Sequence, residues 1–266
     1  MTRFFPSIWA TNTLRYPLAR HQKHRWIEAE TPNGSVYRTY DSGGKMTRWA
    51  LEFINVPSTQ RQALDEFFDD CKGTFRSFVF LDPFENLVRQ SEAFEDGVWE
   101  KQPGIFVSPY APDPYSGTQA RRVSNVSSTP QSLLQTLVIP GWFSYTASCW
   151  LRSSDTATAE LRAHPTNEDS VETFSLSGSW QRYSINVCHE SQTDAIHTGI
   201  RIPGNTEIFA YGFQLEQFSI LSPYKRTTNA SGVFADCRFD NDVIRWTTTG
   251  IDHHTSRVLV NGRMSE

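Results

Sequence analysis

The segment WFSYTASCWLR, residues 142–152, places two tryptophans close to several hydroxyl side chains and an arginine. If the segment is a β-strand, successive side chains point to opposite faces of the sheet. Trp150 and Arg152 then share one face with the hydroxyl side chains, whereas Cys149 and Leu151 belong to an apolar face that packs inward. The π face of an aromatic ring attracts the C–H groups of a sugar, and polar side chains bind its hydroxyls. The outer face of this strand therefore predicts a carbohydrate-binding surface.

A more ordinary interpretation of Trp150 stays open, because tryptophans on an outer sheet face often pack beneath a loop. The segment 103–118 is rich in Pro, Gly, Ser, Asp and Tyr and is predicted to be such a loop. Farther along, the same alternation in FQLE, residues 213–216, puts the two apolar side chains inward and Gln214 and Glu216 outward. The predicted glycan-binding residues are Trp150, Arg152, Gln214 and Glu216.

Carboxylates on strands could also do chemistry, since two of them roughly 5–10 Å apart can hydrolyse a glycosidic bond. Glu160, Glu172 and Glu216 lie on predicted strands, and Asp69-Asp70 lies near the end of a predicted helix. The sequence cannot place any two of them at that separation, and solvated faces or turns are their default positions. The chain also has no G-x-S-x-G motif and no P-loop. We therefore predict no catalytic residues and no enzymatic activity, with glycan hydrolysis as the least favoured alternative.

The histidines and cysteines show none of the spacings of a metal site, and no cofactor is predicted. In a strand, the adjacent pair His253-His254 would point to opposite faces, so both residues could not easily bind one metal ion. A turn is the expected position of the pair. The net charge of −4 gives no general attraction to a polyanion, which makes nucleic acid an unexpected main partner. No run of 18 apolar residues and no signal-peptide pattern occur. We expect a soluble chain, made in the cytoplasm, without a membrane span.

The elements that position these residues begin with a small α+β region. Alternating hydrophobicity predicts strands at 24–31, 35–41, 46–56 and 74–82, with a helix before the last strand. Five apolar residues at helical spacing predict that helix. They are Ala63, Leu64, Phe67, Phe68 and Cys71.

Residues 87–226 show β runs without a helical pattern, as in a two-sheet antiparallel jelly roll. The tail, 227–266, contains three short strands and too little apolar surface to fold alone, so it needs a partner sheet. The fold class predicted is mainly β. It combines a split β domain with one short helix, 1–86 with 227–266, and an inserted antiparallel β-sandwich, 87–226. The break at Leu81-Asp82-Pro83 is the predicted insertion point.

The split domain resembles the N-terminal region of phage distal tail proteins. The resemblance is carried by RWALEFINVPSTQRQALDEFFDDCKGTFRSFVFLDPFEN and, in the tail, by ASGVFADCRFDNDVIRWTTTG. It implies a structural virion protein, made in the host cytoplasm, whose ring (usually six-fold, a homohexamer) joins the tail tube to the tip and baseplate. Candidate interface residues are Trp9, Trp26 and Trp49, each of which could equally be core. The basic stretch 15–25 would be a loop facing passing DNA in the lumen or simply a solvated loop.

The inserted domain resembles a carbohydrate-binding-module-like jelly roll of virion proteins. The matching segments are NLVRQSEAFEDGVWEKQ, YTASCWLRS, SWQRYSINV and AYGFQLEQFSILSPYKRTT. The resemblance implies an outward module that contacts host surface glycans, and related modules suggest Glu92 and Asp96 as candidate calcium ligands. The favoured function is therefore a tail-tip hub. A carbohydrate-binding adhesin or receptor-binding tail protein is the alternative.

Overall fold

A computed structural model describes residues 2–7, 14, 18–40, 46–165, 171–189 and 193–263 of the chain. The chain forms two compact units: unit 1 is Met1–Phe80 with Phe234–Glu266, and unit 2 is Leu81–Val233. The predicted fold class, mainly β with one short helix and an antiparallel sandwich, is confirmed. Unit 2 begins at Leu81, six residues before the predicted start of the inserted domain and at the predicted insertion point Leu81-Asp82-Pro83. It ends at Val233, seven residues after the predicted end.

Unit 1 is built on one sheet to which both ends of the sequence contribute strands. The strands of unit 1 are β1 Ala19–Lys23, β2 Trp26–Glu30, β3 Val36–Tyr40, β4 Met46–Pro57, β5 Phe78–Leu81, β16 Val233–Phe239, β17 Trp246–Gly250 and β18 His253–Arg263. The order in the sheet is β1-β4-β18-β16-β5, and β17 pairs with β18. Since β18 lies between β4 and β16, the C-terminal tail completes a sheet that the N-terminal strands leave unfinished.

The single described helix, α1 (Ser58–Cys71), follows β4 directly, as its apolar spacing predicts. Its Leu64 and Cys71 side chains are fully buried, and burial raises the pKa of the Cys71 thiol to about 11. At its C-terminus Lys72 adopts a left-handed conformation, with φ 53°, and its N–H donates to the carbonyl of Asp69 at 2.9 Å. This turn ends the helix and leads the chain into β5.

The core of unit 1 is aromatic. Trp49 is fully buried, with its ring centroid 4.9 Å from that of Phe80 and 4.6 Å from that of Phe234. A second group surrounds Phe5 and includes Phe67, Phe78, Phe80 and Phe239. Of the two positions considered for Trp49, interface or core, the structure shows the core, because its side chain is not accessible at the surface.

Strands β2 and β3 form a separate two-stranded hairpin in which every residue is exposed. Trp26 and Tyr37 expose 56% and 63% of their surface. A hairpin of two strands buries too little apolar surface to be more than marginally stable in water by itself. Trp26 therefore remains a candidate interface residue, whereas Trp9 lies outside the described residues.

Two local predictions for unit 1 are wrong. Within the basic stretch 15–25, Ala19–Lys23 is not a loop but strand β1, whose backbone pairs with β4 whatever the charge of its side chains. Residues 15–17 lie outside the described part. His253-His254 is not a turn either, since the pair begins β18. His254 is buried, and its Nε2 lies 3.0 Å from Oγ of Ser58.

Unit 2 is an antiparallel sandwich of two five-stranded sheets. Its strands are β6 Glu100–Lys101, β7 Ile105–Ala111, β8 Ala120–Asn125, β9 Gln131–Leu137, β10 Ser144–Arg152, β11 Ala157–Pro165, β12 Val171–Leu176, β13 Gln181–Cys188, β14 Ile196–Ile202 and β15 Thr206–Glu216. Sheet A has the order β13-β10-β15-β8-β7, and sheet B has the order β12-β11-β14-β9-β6. Strands distant in sequence become neighbours in both sheets, as in a jelly roll.

The predicted alternation along β10 decides which side of sheet A faces the core. Tyr145, Ala147, Cys149 and Leu151 are all fully buried, whereas Trp150 and Arg152 on the opposite face are half-buried. The inner face is therefore the one that the sequence predicts, and the outer face is the one that carries the candidate site.

The two ends of unit 2 are joined by Asn86, whose side chain is fully buried. Its Nδ2 donates to the carbonyls of Phe213 and Lys225 at 2.9 and 3.1 Å. Its Oδ1 accepts from the N–H groups of Leu215 and Val88 at 3.0 and 3.2 Å. All four hydrogen-bonding positions of the amide are used. Ends that lie side by side are the geometry that lets one domain be inserted into another.

Candidate functional site

Strand β15 carries a β-bulge at Gly212. Ser148 and Trp150, two residues apart on β10, face Gln214 and Tyr211, which are three residues apart on β15. Gly212 has φ 63°, a left-handed conformation that glycine adopts without strain. The extra residue reverses the alternation, so Tyr211 turns to the same face as Trp150.

Six aromatic side chains gather on the outer face of sheet A, and we call them the aromatic platform. They are Tyr115, Trp150, Trp180, Phe209, Tyr211 and Tyr224. The small side chains of Ala111 and Ala120 form the base of the group. Tyr115 is 61% exposed, and the two tryptophans and Phe209 are half-buried, so aromatic surface remains open to solvent.

The position of Trp150 fits the loop-covered interpretation, and its role in glycan binding stays a prediction. The residue lies on the outer face, and its ring meets that of Tyr115 edge-on at 5.8 Å, so a loop does reach over it. That loop is shorter than predicted, because Ile105–Ala111 forms strand β7. The indole Nε1 of Trp150 is buried and has no hydrogen-bond partner among the described residues.

The position of Tyr115 is fixed by the turn that Asp113 organises. Oδ1 of Asp113 accepts from the N–H groups of Tyr115 and Gly117, each at 2.9 Å, and Oδ2 accepts from that of Gln119 at 3.0 Å. Burial alone would raise the pKa of the carboxyl, but the three backbone hydrogen bonds outweigh it, so the pKa lies below its usual value. These bonds fix the backbone of the turn that carries Tyr115.

Arg152 lies at the edge of the platform. Its guanidinium carbon is 4.1 Å from the ring centroid of Phe209 and 5.2 Å from that of Trp180. These two cation–π contacts hold the guanidinium against the rings, and no described residue accepts its N–H groups. The predicted pair Trp150 and Arg152 is therefore brought to one surface.

The hydroxyls of two platform tyrosines are anchored to Glu92. Tyr211 and Tyr224 donate to its Oε1 at 2.9 and 3.2 Å, and Nε of Arg226 lies 3.0 Å from its Oε2. Burial, together with the negative Glu92, raises the pKa of Tyr211 well above its ordinary value. Glu92 thus has a structural task. Asp96, the other calcium candidate, accepts the N–H of Val98 at 2.9 Å.

The outward exposure predicted for Gln214 and Glu216 is wrong. Both point to the outer face, but they are 0% and 1% exposed, because the segment that follows β15 folds back over them. Oε1 of Gln214 accepts the N–H of Lys225 at 2.6 Å, and Oε1 of Glu216 lies 3.1 Å from Nζ of the same lysine. Glu216 also accepts the N–H of Ser222 at 3.2 Å. Their role in glycan binding stays a prediction, and the contacts seen here are internal.

The strand carboxylates considered for hydrolysis are divided between the sheets. Glu160 and Glu172 lie in sheet B, whereas Glu216 lies in sheet A. Glu160 is paired with Arg201 at 3.3 Å. Within the described ranges, no group of three or more His, Cys, Asp or Glu side chains could hold a metal ion. No described helix is long and apolar enough to cross a membrane.

A groove of about 800 Å³ in unit 1 is a second concave surface. Its lining mixes charges, and its carboxylates already have partners: Asp240 binds Arg48 and Asn261, and Asp242 accepts from Thr74. A lining of mixed charges whose carboxylates already have partners defines no particular ligand, so the aromatic platform is the stronger candidate.

Most of the platform was not found from the sequence. Tyr115, Trp180, Phe209, Tyr211 and Tyr224 come from loops and strands far apart in the chain. One usable signal was the isolated Gly212 within a strand, since glycine inside a strand often marks a bulge. A bulge predicted at Gly212 would have assigned Tyr211 and Phe209 to the same face of the sheet as Trp150.

No protein-family model matches the sequence, and no curated protein matches it significantly. Solved structures similar to the chain include a family 61 carbohydrate-binding module in complex with β-1,4-galactotriose. It is 16% identical, with a TM-score of 0.39, and the match covers 50% of this chain and 98% of that one.

Two further structures are similar over about half of the chain. One is the C-terminal family 22 carbohydrate-binding module of Clostridium thermocellum Xyn10B, at 10% identity and a TM-score of 0.40, covering 52% of this chain and 96% of that one. The other is the enzymatically active domain of bacteriophage CBA120 tailspike protein 4, at 14% identity and a TM-score of 0.38. That match covers 52% of this chain and 22% of the tailspike chain.

Proposed function

We propose that unit 2 is a carbohydrate-binding module and that the aromatic platform is its binding face. The observation that carries this proposal is the open aromatic surface formed by Tyr115, Trp150, Trp180 and Phe209 on one side of sheet A. Monomeric soluble proteins rarely leave a large group of aromatic rings accessible without a ligand or partner. Rings combined with a few convergent polar groups are typical of small-molecule sites.

The platform is also prepared for binding before a ligand is present. Asp113 fixes the loop of Tyr115, and Glu92 fixes the hydroxyls of Tyr211 and Tyr224. Little conformational entropy is then lost when a sugar stacks on these rings. Arg152, at the edge, offers donors for groups on the sugar ring.

A glycan array probed with the full-length chain tests this function, followed by affinity electrophoresis in gels containing the polysaccharides that correspond to the hits. Trp180→Ala and Tyr115→Ala remove ring surface from the platform and are expected to weaken retention about tenfold or more, because stacking is lost. Trp142→Ala is the matched control, since Trp142 is also half-buried in unit 2 but meets Phe143 outside the platform. Equal loss in all three variants, or no retention by any glycan, would refute the proposal.

A second function, assembly, is favoured by the exposed hairpin of unit 1. We infer that unit 1 assembles with further copies of this chain, as the ring of the tail-tip hub that the distal-tail resemblance implies. Trp26, Ile27, Val36, Tyr37 and Tyr40 each expose 56% or more of their surface. Two strands of this kind gain stability from a covering partner. On this proposal the chain resides in the virion, next to tail-tube and baseplate proteins.

Native mass spectrometry of the full-length chain tests the assembly role. The wild-type chain is expected to form a closed oligomer, and the double variant Trp26→Ser/Tyr37→Ser a smaller species. Tyr115→Ser is the control, because it also removes an exposed aromatic ring but from unit 2. A wild-type chain that stays monomeric at all concentrations would exclude self-assembly as the function of the hairpin.

A further inference from the structure

Among the described residues, the charged side chains around the aromatic platform make ion pairs or hydrogen bonds, with one exception. Arg226 pairs with Glu92 at 3.0 Å, Lys225 with Glu216 at 3.1 Å, and Arg122 with Glu207 at 3.8 Å. The charge of Asp113 is held by three backbone N–H groups. Each of the four carboxylates, Glu92, Glu216, Glu207 and Asp113, therefore already has partners.

Arg152 is the exception. Among the residues that the structure describes, no carboxylate pairs with it and no acceptor takes its N–H groups. Its contacts are the rings of Phe209 and Trp180, at 4.1 and 5.2 Å. An arginine without an acceptor carries a full charge and five donors in a planar fork, and here the fork is half-buried at the edge of the platform.

A second arginine strengthens the positive field. Arg182 of β13 is opposite Trp150 in the sheet, and its terminal nitrogens donate to the carbonyl of Ser222 at 2.7 Å and to Oγ of Ser148 at 3.0 Å. Both acceptors are neutral, so its charge is only partly balanced, by the nearby Glu216. The field at the platform therefore favours a negative ligand over a neutral one.

The planar guanidinium of Arg152 further restricts the chemical class of the ligand. A neutral sugar hydroxyl uses one donor at a time, and any polar side chain could supply it. A planar anionic group such as a carboxylate accepts two parallel N–H groups from one guanidinium, which is a stronger and more selective contact. The contacts with Phe209 and Trp180 restrict the movement of the fork, so less of its conformational freedom is lost on binding.

We propose that the ligand of the platform is an acidic glycan, with its anionic group on Arg152 and a sugar ring on the neighbouring aromatic side chains. This inference rests on the proposed carbohydrate-binding function and adds the class of sugar. A uronic or sialic acid supplies a carboxylate. A phosphate or sulfate ester supplies the same charge in a different geometry, and the test separates these sources.

The test begins with an array that carries uronic, sialylated, sulfated, phosphorylated and neutral glycans. Each acidic hit is then compared, by calorimetry, with its neutral counterpart, for example polygalacturonic acid with its methyl ester. The acidic form is expected to bind about tenfold tighter or more, with an affinity that falls as salt rises. Arg152→Gln should abolish this difference, and Arg152→Lys, which keeps the charge but not the fork, should retain part of it.

Arg201→Gln is the matched control, because Arg201 is also half-buried in unit 2 but belongs to sheet B and pairs with Glu160 at 3.3 Å. It should leave both affinities unchanged. Equal binding of the acidic and neutral forms, or an equal loss for both in Arg152→Gln, would overturn the inference while the carbohydrate function stands. Acidic binding that survives Trp180→Ala would place the site elsewhere and overturn the inference too. No hit of any kind would remove both proposals.

Discussion

The hydroxyl of Tyr211 donates a hydrogen bond of 2.9 Å to the carboxylate of Glu92, a residue 119 positions earlier in the chain. Tyr224 donates to the same oxygen at 3.2 Å, so one carboxylate holds two rings of the platform. Glu92 is only 6% exposed. The first residues of unit 2 thus support the aromatic platform, to which strand β15 and the final segment of the unit contribute.

Glu92→Ala is expected to destabilise unit 2 by on the order of 2–3 kcal/mol, because the buried hydroxyl of Tyr211 loses its acceptor and that of Tyr224 keeps only Ser91 at 2.7 Å. Glu92→Gln keeps an oxygen for the tyrosines and should cost less, about 1 kcal/mol. Arg226→Gln is the control, since the arginine side chain is 62% exposed and its ion pair should contribute less than about 1 kcal/mol. Urea denaturation measures all three, and equal losses would contradict this order.

Gly212→Ala should disturb the platform without touching its aromatic residues. An added Cβ would lie 3.0 Å from the ring of Tyr224, and φ 63° is a left-handed conformation that alanine adopts only at a cost in free energy. We expect a loss of about 1–2 kcal/mol in stability and weaker glycan retention, because Tyr211 and Tyr224 must shift. Gly178→Ala is the control, with its nearest atom 3.9 Å away and no positive φ. Unchanged retention in Gly212→Ala would show that the bulge does not position the binding face.

The inner face of β10 could be predicted because burial of alternate residues is a local property of a strand. The outer face could not be predicted fully, for two physical reasons. The bulge at Gly212 shifts the register by one residue, which reverses every side chain beyond it. The segment 217–225 then folds back over Gln214 and Glu216, and covering by an irregular segment leaves no periodic signal in the covered strand.

In unit 1 the helix and the strand before it were predictable, since both carry strong local patterns. The pairing of the C-terminal tail with β4 was suggested by its small apolar content rather than by any motif. Trp49 and Trp26 look alike in the sequence, yet one is fully buried and the other 56% exposed. Only the arrangement of the strands distinguishes them.

The loop of Tyr115 should respond to acid. The folded state holds the pKa of Asp113 below its usual value of 3.8, so the unfolded state binds the proton more readily. The carboxylate therefore contributes stability that is fully present above that value and is lost as the pH falls below it through the folded pKa. Asp113→Asn is expected to cost about 1–2 kcal/mol at neutral pH and to flatten this part of the acid titration of stability.

The measurement is the midpoint of urea unfolding between neutral pH and pH about 3 for the wild-type and Asp113→Asn chains. Asp242→Asn is the control, because Asp242 also has a lowered pKa but is fully exposed and lies in unit 1. Parallel titration curves for the wild-type and Asp113→Asn chains would contradict the role given to the three backbone hydrogen bonds.

Glu216 tests whether a residue on the outer face acts in binding or in folding. Its carboxylate is 1% exposed and lies 3.1 Å from Nζ of Lys225, which is 28% exposed. Lys225→Met leaves the buried carboxylate of Glu216 without its cation and should cost about 2–3 kcal/mol. Glu216→Gln leaves only the partly exposed lysine without its partner and should cost about 1–2 kcal/mol. The double variant should lose about 1–2 kcal/mol less than the sum, since the two residues interact directly. Glycan retention should change only in proportion to the unfolded fraction. If Glu216→Gln instead weakened retention at full stability, the carboxylate would have to reach the ligand, and the segment 217–225 would have to move away from it.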